Sequence, residues 1–106
     1  RDRLVIKSNG RIYFVRVNDI DWCEAAGNYV RLHVGQQTHL VRGTMANIEA
    51  QLDPHQFVRV HRSTIVNMEH VAGTRRDDSG RLFVRMRGSD TELPVSRAYV
   101  HRFRQM

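Results

Sequence analysis

Short stretches in which apolar and polar residues alternate, separated by turn residues, run through the whole chain. In YVRLHV (29–34), Val30, Leu32 and Val34 fall on one face, while Tyr, Arg and His occupy the other. Alternation with a period of two is typical of a half-buried β-strand. Apolar-rich stretches of this length predict strands over 4–8, 11–17, 20–25, 29–34, 38–42, 57–60, 64–67, 70–77, 81–87 and 91–96.

The connections between these stretches are mostly short and rich in Gly, Asn, Asp and Ser. Asn9-Gly10 is a strong hairpin signal, and Gly27-Asn28 and Asp78-Ser79-Gly80 also favour turns. Consecutive strands joined by such turns pair in antiparallel fashion, and the chain lacks the β-α-β alternation of a parallel sheet. The pattern therefore predicts a mainly β domain of about ten short strands in small antiparallel sheets.

Two segments depart from the strand pattern and predict one or two short helices. In TMANIEAQL (44–52) the apolar positions share one helical face, with Thr44 as the N-cap and Asp53-Pro54 as the end. Ser96 is predicted to cap a last helix over 97–104. The residues expected to face inward from these helices are Met45, Ile48, Leu52, Tyr99, Val100 and Phe103.

Length and charge narrow the class of protein. The 106 residues suit one domain, 1–106, and 41% hydrophobic with 26% charged residues favours a folded chain. The first residue is Arg rather than Met, so we expect the chain to be the C-terminal part of a longer protein. A single cysteine, Cys23, suits a reducing compartment such as the cytoplasm. The net charge of +6, almost entirely from arginine, favours a polyanionic partner, with nucleic acid first.

The stretch FVRVHRSTIVN (57–67) interrupts a strand pattern with a polar block and leaves three interpretations. His61 and Ser63 could form a nucleophile–base pair, but no G-x-S-x-G elbow surrounds the serine. The histidines form no H-x-H, H-E-x-x-H or Cys/His cluster, so no metal site is predicted. The third interpretation is a loop that presents Arg62 to an anionic partner.

Three segments have the residue types that meet nucleic acid: 24–31, 61–64 and 94–97. The arginine fork suits guanine edges and phosphates, and asparagine suits adenine. A helix start also offers free N–H groups to phosphate. The candidate DNA-binding residues are Asn28, Tyr29, Arg31, His61, Arg62, Ser63, Ser96 and Arg97.

At these segments the sequence resembles the LytTR family of bacterial DNA-binding domains. The matching stretches are IDWCEAAGNYVRLH, LVRGTMANIEAQL, FVRVHRSTIVNMEHV and ELPVSRAYV. The resemblance implies an elongated β-β-β architecture whose loops enter successive major grooves of double-stranded DNA. It places the reading loops at 28–31, 61–63 and 96–97, with Arg62 reaching a base. Val30 departs from the family pattern, in which this residue is often polar or longer.

The resemblance also implies a setting for the domain. Members commonly form the output domain of a two-component response regulator, behind a receiver domain in the same chain, and some follow membrane segments instead. They commonly bind paired direct repeats as two molecules. We expect no enzyme activity, no cofactor and no membrane contact by this segment. The alternative is a non-catalytic module that binds protein or RNA, although RNA readers usually expose more aromatic residues than the 8% here.

Overall fold

A computed structural model describes residues 2–104, and its main elements are ten β-strands and two short α-helices. The strands are β1 (Arg3–Ser8), β2 (Arg11–Arg16), β3 (Trp22–Ala26), β4 (Tyr29–Val34), β5 (Gln37–Arg42), β6 (Phe57–His61), β7 (Thr64–Asn67), β8 (Val71–Arg76), β9 (Leu82–Met86) and β10 (Glu92–Val95). The helices are α1 (Met45–Glu49) and α2 (Val100–Arg104). Single 3-10 turns occupy Val17–Asp19, Met68–His70 and Arg97–Tyr99.

The strands form three antiparallel sheets: a β1–β2 hairpin, a five-stranded sheet in the order β5-β4-β3-β7-β6, and a three-stranded sheet in the order β10-β9-β8. Within the five-stranded sheet, β3 lies beside β7, with Trp22 opposite Val66 and Glu24 opposite Thr64. The molecule is elongated, measuring 48 × 26 × 24 Å. The prediction of a mainly β domain with small antiparallel sheets and short helices is confirmed.

The five-stranded sheet is covered on both faces, so the molecule has two hydrophobic cores. The β1–β2 hairpin and α1 cover one face, and the three-stranded sheet and α2 cover part of the other. Since successive residues of a strand point to opposite faces, Ile65 enters the first core and Val66 the second. Both side chains are fully buried, which stabilises the fold by about 1.5–3 kcal/mol each.

Helix α1 begins as predicted but ends early. Thr44 Oγ1 accepts from Asn47 N at 3.1 Å and Thr44 N donates to Asn47 Oδ1 at 3.0 Å, a reciprocal cap that confirms Thr44 as the N-cap. The predicted end at Asp53-Pro54 is wrong, because the helix stops at Glu49. Tight i→i+3 turns follow, in which Leu52 N donates to Glu49 O, and they still carry Leu52 into the first core.

Ser96 lies at the predicted start of the last helical stretch, where Tyr99 N donates to its carbonyl at 3.0 Å, but the predicted cap by its side chain is wrong. Its side chain makes no capping hydrogen bond, and the chain passes through the 97–99 turn before α2 begins. The backbone N–H of Ser96 donates to Val60 O at 2.9 Å, so the residue is docked against β6. Its hydroxyl oxygen is buried, without a hydrogen-bond partner in the described part of the chain.

Candidate nucleic-acid interface

Two of the predicted loops lie at the same edge of the five-stranded sheet. Gly27-Asn28 is the turn between β3 and β4, and Arg62-Ser63 is the turn between β6 and β7. Because β3 and β7 are antiparallel neighbours, the end of one strand meets the start of the other. Ala25 N donates to Ser63 O at 2.9 Å and ties the two turns together.

The third predicted segment joins the same edge from β10. Its anchor is the bond from Ser96 N to Val60 O, one residue before His61. Arg97 follows directly and is exposed. The structure thus brings the segments 27–29, 61–63 and 96–97 together, and we call this surface the turn edge.

The first turn is shaped by glycine and tied to β5. Gly27 has φ +64°, which a two-residue hairpin turn requires and L side chains rarely adopt. Asn28 is exposed, and its carbonyl accepts from Gly43 N at 3.0 Å. The ring of Tyr29, itself exposed, lies under the guanidinium of Arg42, whose Nη1 donates to the Tyr29 hydroxyl at 3.3 Å.

Arg42 is therefore a candidate that the sequence analysis missed. It is exposed at the turn edge because it lies opposite Tyr29 in the β4–β5 register. The signal was present in the hairpin itself, since pairing YVRLHV with QTHLVR across Gly35-Gln36 places these two residues side by side.

Arg31 lies further from the turn and is held by an acidic neighbour. Its Nη1 is 3.0 Å from Glu24 Oε1, which also contacts His33 Nε2 at 2.7 Å. Partial burial raises the pKa of Glu24, but the hydrogen bonds and positive charges of His33 and Arg31 lower it by more, so the pKa lies below its ordinary value. Trp22 stacks on His33 with the ring centroids 3.9 Å apart. This cluster fixes Arg31 on the open face of β3–β4 with its charge compensated.

The second turn is closed by its own histidine. His61 Nδ1 accepts from Ser63 N at 3.1 Å and lies 2.9 Å from Ser63 Oγ. A serine–histidine pair therefore exists, but the ring nitrogen is already engaged by a backbone N–H. Within residues 2–104 no carboxylate hydrogen-bonds to this imidazole, so the third member of a triad is lacking there. The arrangement stabilises the turn and leaves Arg62 exposed at its tip.

The charge of the turn edge comes from arginines without acidic partners. Over the described range, neither Arg62 nor Arg97 takes part in an ion pair, whereas Arg31, Arg59, Arg75, Arg81 and Arg102 do. Unpaired exposed guanidinium groups are free to meet phosphates or base edges. The described residues contain no group of three His, Cys, Asp or Glu side chains placed to hold a metal. None of their helices has the length and apolar character needed to cross a bilayer.

Comparison with known protein families shows which family has this sequence and fold. The sequence profile of the LytTr DNA-binding domain matches residues 10–106. The chain belongs to the LytTR family. The LytTr DNA-binding domain of a Bacillus cereus protein described as a methyl-accepting/DNA response regulator has the same fold, with a TM-score of 0.86 over 99% of this chain and 95% of that one at 23% identity.

The curated relatives that the chain matches are longer proteins named for regulation or sensory transduction. The CO-responsive transcriptional regulator RcoM of Rhodospirillum rubrum is 40% identical over 91 residues, which are 86% of this chain and 39% of that protein. An uncharacterized response regulatory protein of Vibrio cholerae is 36% identical over 88% of this chain and 36% of its own length. The sensory transduction protein LytT of Enterococcus faecalis is 29% identical over 98% of this chain and 43% of that protein. The chain thus spans about two fifths of the length of these relatives.

Proposed function

We propose that this LytTR domain binds double-stranded DNA in a sequence-specific manner, with the turn edge as its reading surface. The observation that supports this most directly is the convergence of three polar segments on one edge of the sheet. Arg62 and Arg97 are exposed there, and neither forms an ion pair with an acidic residue of the described chain. The net charge of +6 adds attraction to the phosphate backbone. Strands behind the edge hold the turns rigidly, which favours precise contacts over adaptable ones.

The spacing of the segments bears on how they meet the grooves. The turns at 27–28 and 62–63 are two strand spacings apart, roughly 10 Å. Successive major grooves are about 34 Å apart, with a minor groove about 6 Å wide between them. We infer that the outer segments, 27–29 and 96–97, enter successive major grooves from their near sides. The 62–63 turn then faces the minor groove between them, where Arg62 reaches base edges and also senses the groove width.

The wider setting follows from the relatives. Their greater length and their names, which refer to regulation or sensory transduction, support a regulatory domain in the same full-length protein. A receiver is our first candidate, because a response regulatory protein is among them. We further propose that two copies bind paired direct repeats and that the regulator is cytoplasmic and non-catalytic.

The test is selection of duplexes from a random pool, followed by mobility-shift titrations of the parent chain. Loss of one base contact costs about 1–3 kcal/mol of binding free energy. Arg62→Ala and Arg97→Ala should each weaken binding to the selected duplex by this amount, with unchanged far-UV circular dichroism. Arg16→Ala is the matched control, since this exposed arginine lies on β2, away from the turn edge, and should bind like the parent.

The same titrations separate the alternatives. Equal affinity of the parent chain for selected and scrambled duplexes would refute sequence-specific binding. Tighter binding to single-stranded RNA than to any duplex would instead favour the RNA-interaction module. Parent-like binding by both the Arg62 and Arg97 variants would show that the reading residues lie elsewhere.

A further inference from the structure

The side chain of Arg59 lies beneath the turn that carries Arg62. Only 15% of this side chain is exposed. Its Nε donates to His61 O at 3.2 Å, and its Nη2 donates to Arg62 O. One guanidinium therefore binds two consecutive carbonyl groups of the turn.

The turn depends on such partners because the β6–β7 ladder is irregular there. The register shifts between Arg59 and His61, so Val60 is an extra residue on β6. The carbonyls of four successive residues accept from groups other than the backbone N–H groups of this ladder. Val60 O accepts from Ser96 N, Ser63 O accepts from Ala25 N, and the two carbonyls between them accept from the Arg59 side chain.

The remaining arm of Arg59 is anchored to two other elements. Its Nη1 lies 3.0 Å from Glu49 Oε1 on α1, and its guanidinium lies 5.8 Å from the ring centroid of Tyr99. Arg102 reinforces both partners, with Nη2 3.3 Å from Glu49 Oε2 and its guanidinium 5.2 Å from the same ring. Tyr99 is two residues beyond Arg97, so this cluster of Arg59, Glu49, Tyr99 and Arg102 supports two of the three segments of the turn edge.

We infer that Arg59 is a positioning residue for DNA reading: it fixes the geometry of the 61–63 turn before DNA arrives and does not itself touch DNA. This inference rests on the proposed function. A turn that is already ordered loses less conformational entropy when it binds DNA. The largely buried side chain of Arg59 can therefore raise the affinity of the turn that carries Arg62 for DNA. Lysine cannot replace Arg59, because its compact ammonium group lacks the planar fork that binds two carbonyls and a carboxylate at once.

The experiment compares Arg59→Lys with the parent chain on selected and scrambled duplexes over a range of salt concentrations. Ordering one side chain and its turn is equivalent to about 3- to 10-fold in affinity, and we expect this loss on the selected duplex. Binding to the scrambled duplex should change by less than about 2-fold, and the salt slope should stay the same, because no phosphate contact is removed. Arg75→Lys is the matched control: Arg75 also uses several arms of its guanidinium, but its Nε and Nη2 both bind the carboxylate of Glu92 on the three-stranded sheet, and the variant should bind DNA like the parent.

A double-mutant cycle with Arg62→Ala separates positioning from general stabilisation. Once the side chain at the tip is gone, Arg59→Lys should cost less than about 2-fold, since there is no longer a reading group to position. An equal loss in both backgrounds would overturn the inference. So would a parallel loss on the scrambled duplex with a salt slope lower by about one, which marks a phosphate contact.

Two further outcomes are also decisive. If Arg59→Lys does not fold, Glu49→Gln takes its place; this variant removes the charge that holds Nη1 and should weaken selected-duplex binding at an unchanged salt slope. Parent-like binding by Glu49→Gln would then overturn the inference. Failure of the parent chain to discriminate between the two duplexes refutes the proposed function itself, whereas a discriminating parent with an unaffected Arg59→Lys refutes only the role of Arg59.

Discussion

Replacement of Asn67 by alanine should destabilise the domain strongly, although this residue lies at the opposite end of β7 from the turn edge. Its side chain is fully buried. Nδ2 donates to Ile20 O at 2.8 Å, while Oδ1 accepts from Glu69 N at 3.0 Å and from Gln56 Nε2 at 3.3 Å. One amide thus joins three separate parts of the chain.

The magnitude follows from the groups that alanine would leave without this partner. Ile20 is completely buried, so water cannot reach its carbonyl once the hydrogen bond from Asn67 is removed. Leaving this carbonyl without a partner costs about 1–3 kcal/mol of unfolding free energy. Glu69 and Gln56 have access to water, and the loss of their bonds adds about 1 kcal/mol together. The expected total of about 2–4 kcal/mol is a large share of the 5–15 kcal/mol typical of a domain. It corresponds to a fall in Tm of roughly 10–25 °C.

Urea and thermal unfolding followed by far-UV circular dichroism measure this change. Asn18→Ala is the matched control, because it removes the other bond of the same Gln56 amide, 3.1 Å long, at an exposed position. It should change the free energy of unfolding by less than about 0.5 kcal/mol. A loss below about 1 kcal/mol for Asn67→Ala would show that the buried carbonyl of Ile20 finds another partner and that the reasoning is wrong.

Three other expectations concern stability and reactivity. Thr44→Ala removes the reciprocal cap of α1 and should cost about 1 kcal/mol, seen as a lower urea midpoint at constant slope; an unchanged midpoint would contradict the role of the cap. Folding lowers the pKa of Glu24, so the stability that its carboxylate contributes is complete above the ordinary pKa of 4.5 and is lost as the pH falls through the folded-state pKa. The difference in free energy of unfolding between the parent and Glu24→Gln should therefore shrink below pH 4.5. A difference that grows there would refute the direction of the pKa shift. Burial raises the pKa of Cys23 to about 12, so a thiol reagent at pH 8 should label the native chain only as fast as it opens, and rapid labelling would show that the thiol is accessible.

The positions of most strands along the chain could be predicted from the sequence. Where only one face of a sheet is covered, every second residue of a strand is apolar, and this alternation is visible in the sequence. The stretch 29–34 is β4 without a shift, and Thr44 caps α1 as expected. The pattern could not predict which strands are neighbours. All four residues of β7 are buried, including Thr64 and Asn67, because this is an interior strand of a sheet that is covered on both faces.

For the candidate site, the polar segments could be predicted, but not the residues that support them. Arg59 has the sequence position of an outward polar residue in an alternating strand, but its guanidinium binds the carbonyls of His61 and Arg62 in the neighbouring turn, next to the bulge at Val60. The place of Ser96 is a related case, since it precedes the last helical stretch as predicted but is fixed by the bond from its N–H to Val60 O on β6 and not by a side-chain cap. Both depend on contacts between elements, which the spacing of residues along one strand does not encode.

The pairing of β3 with β7 has a consequence for how the chain folds. Among the ladders of residues 2–104, it alone joins strands that are not consecutive, and it brings Trp22 next to Val66. Each of the other ladders joins strands that follow one another in the sequence and can form by local contacts, within microseconds for a hairpin. The long chain segment between β3 and β7 must instead be closed, at a cost in entropy, before the contacts between these strands stabilise it. We therefore expect formation of the β3–β7 ladder to set the refolding rate. Substitutions at the β3–β7 seam should then slow refolding more than they speed unfolding, a difference that stopped-flow chevron plots would reveal.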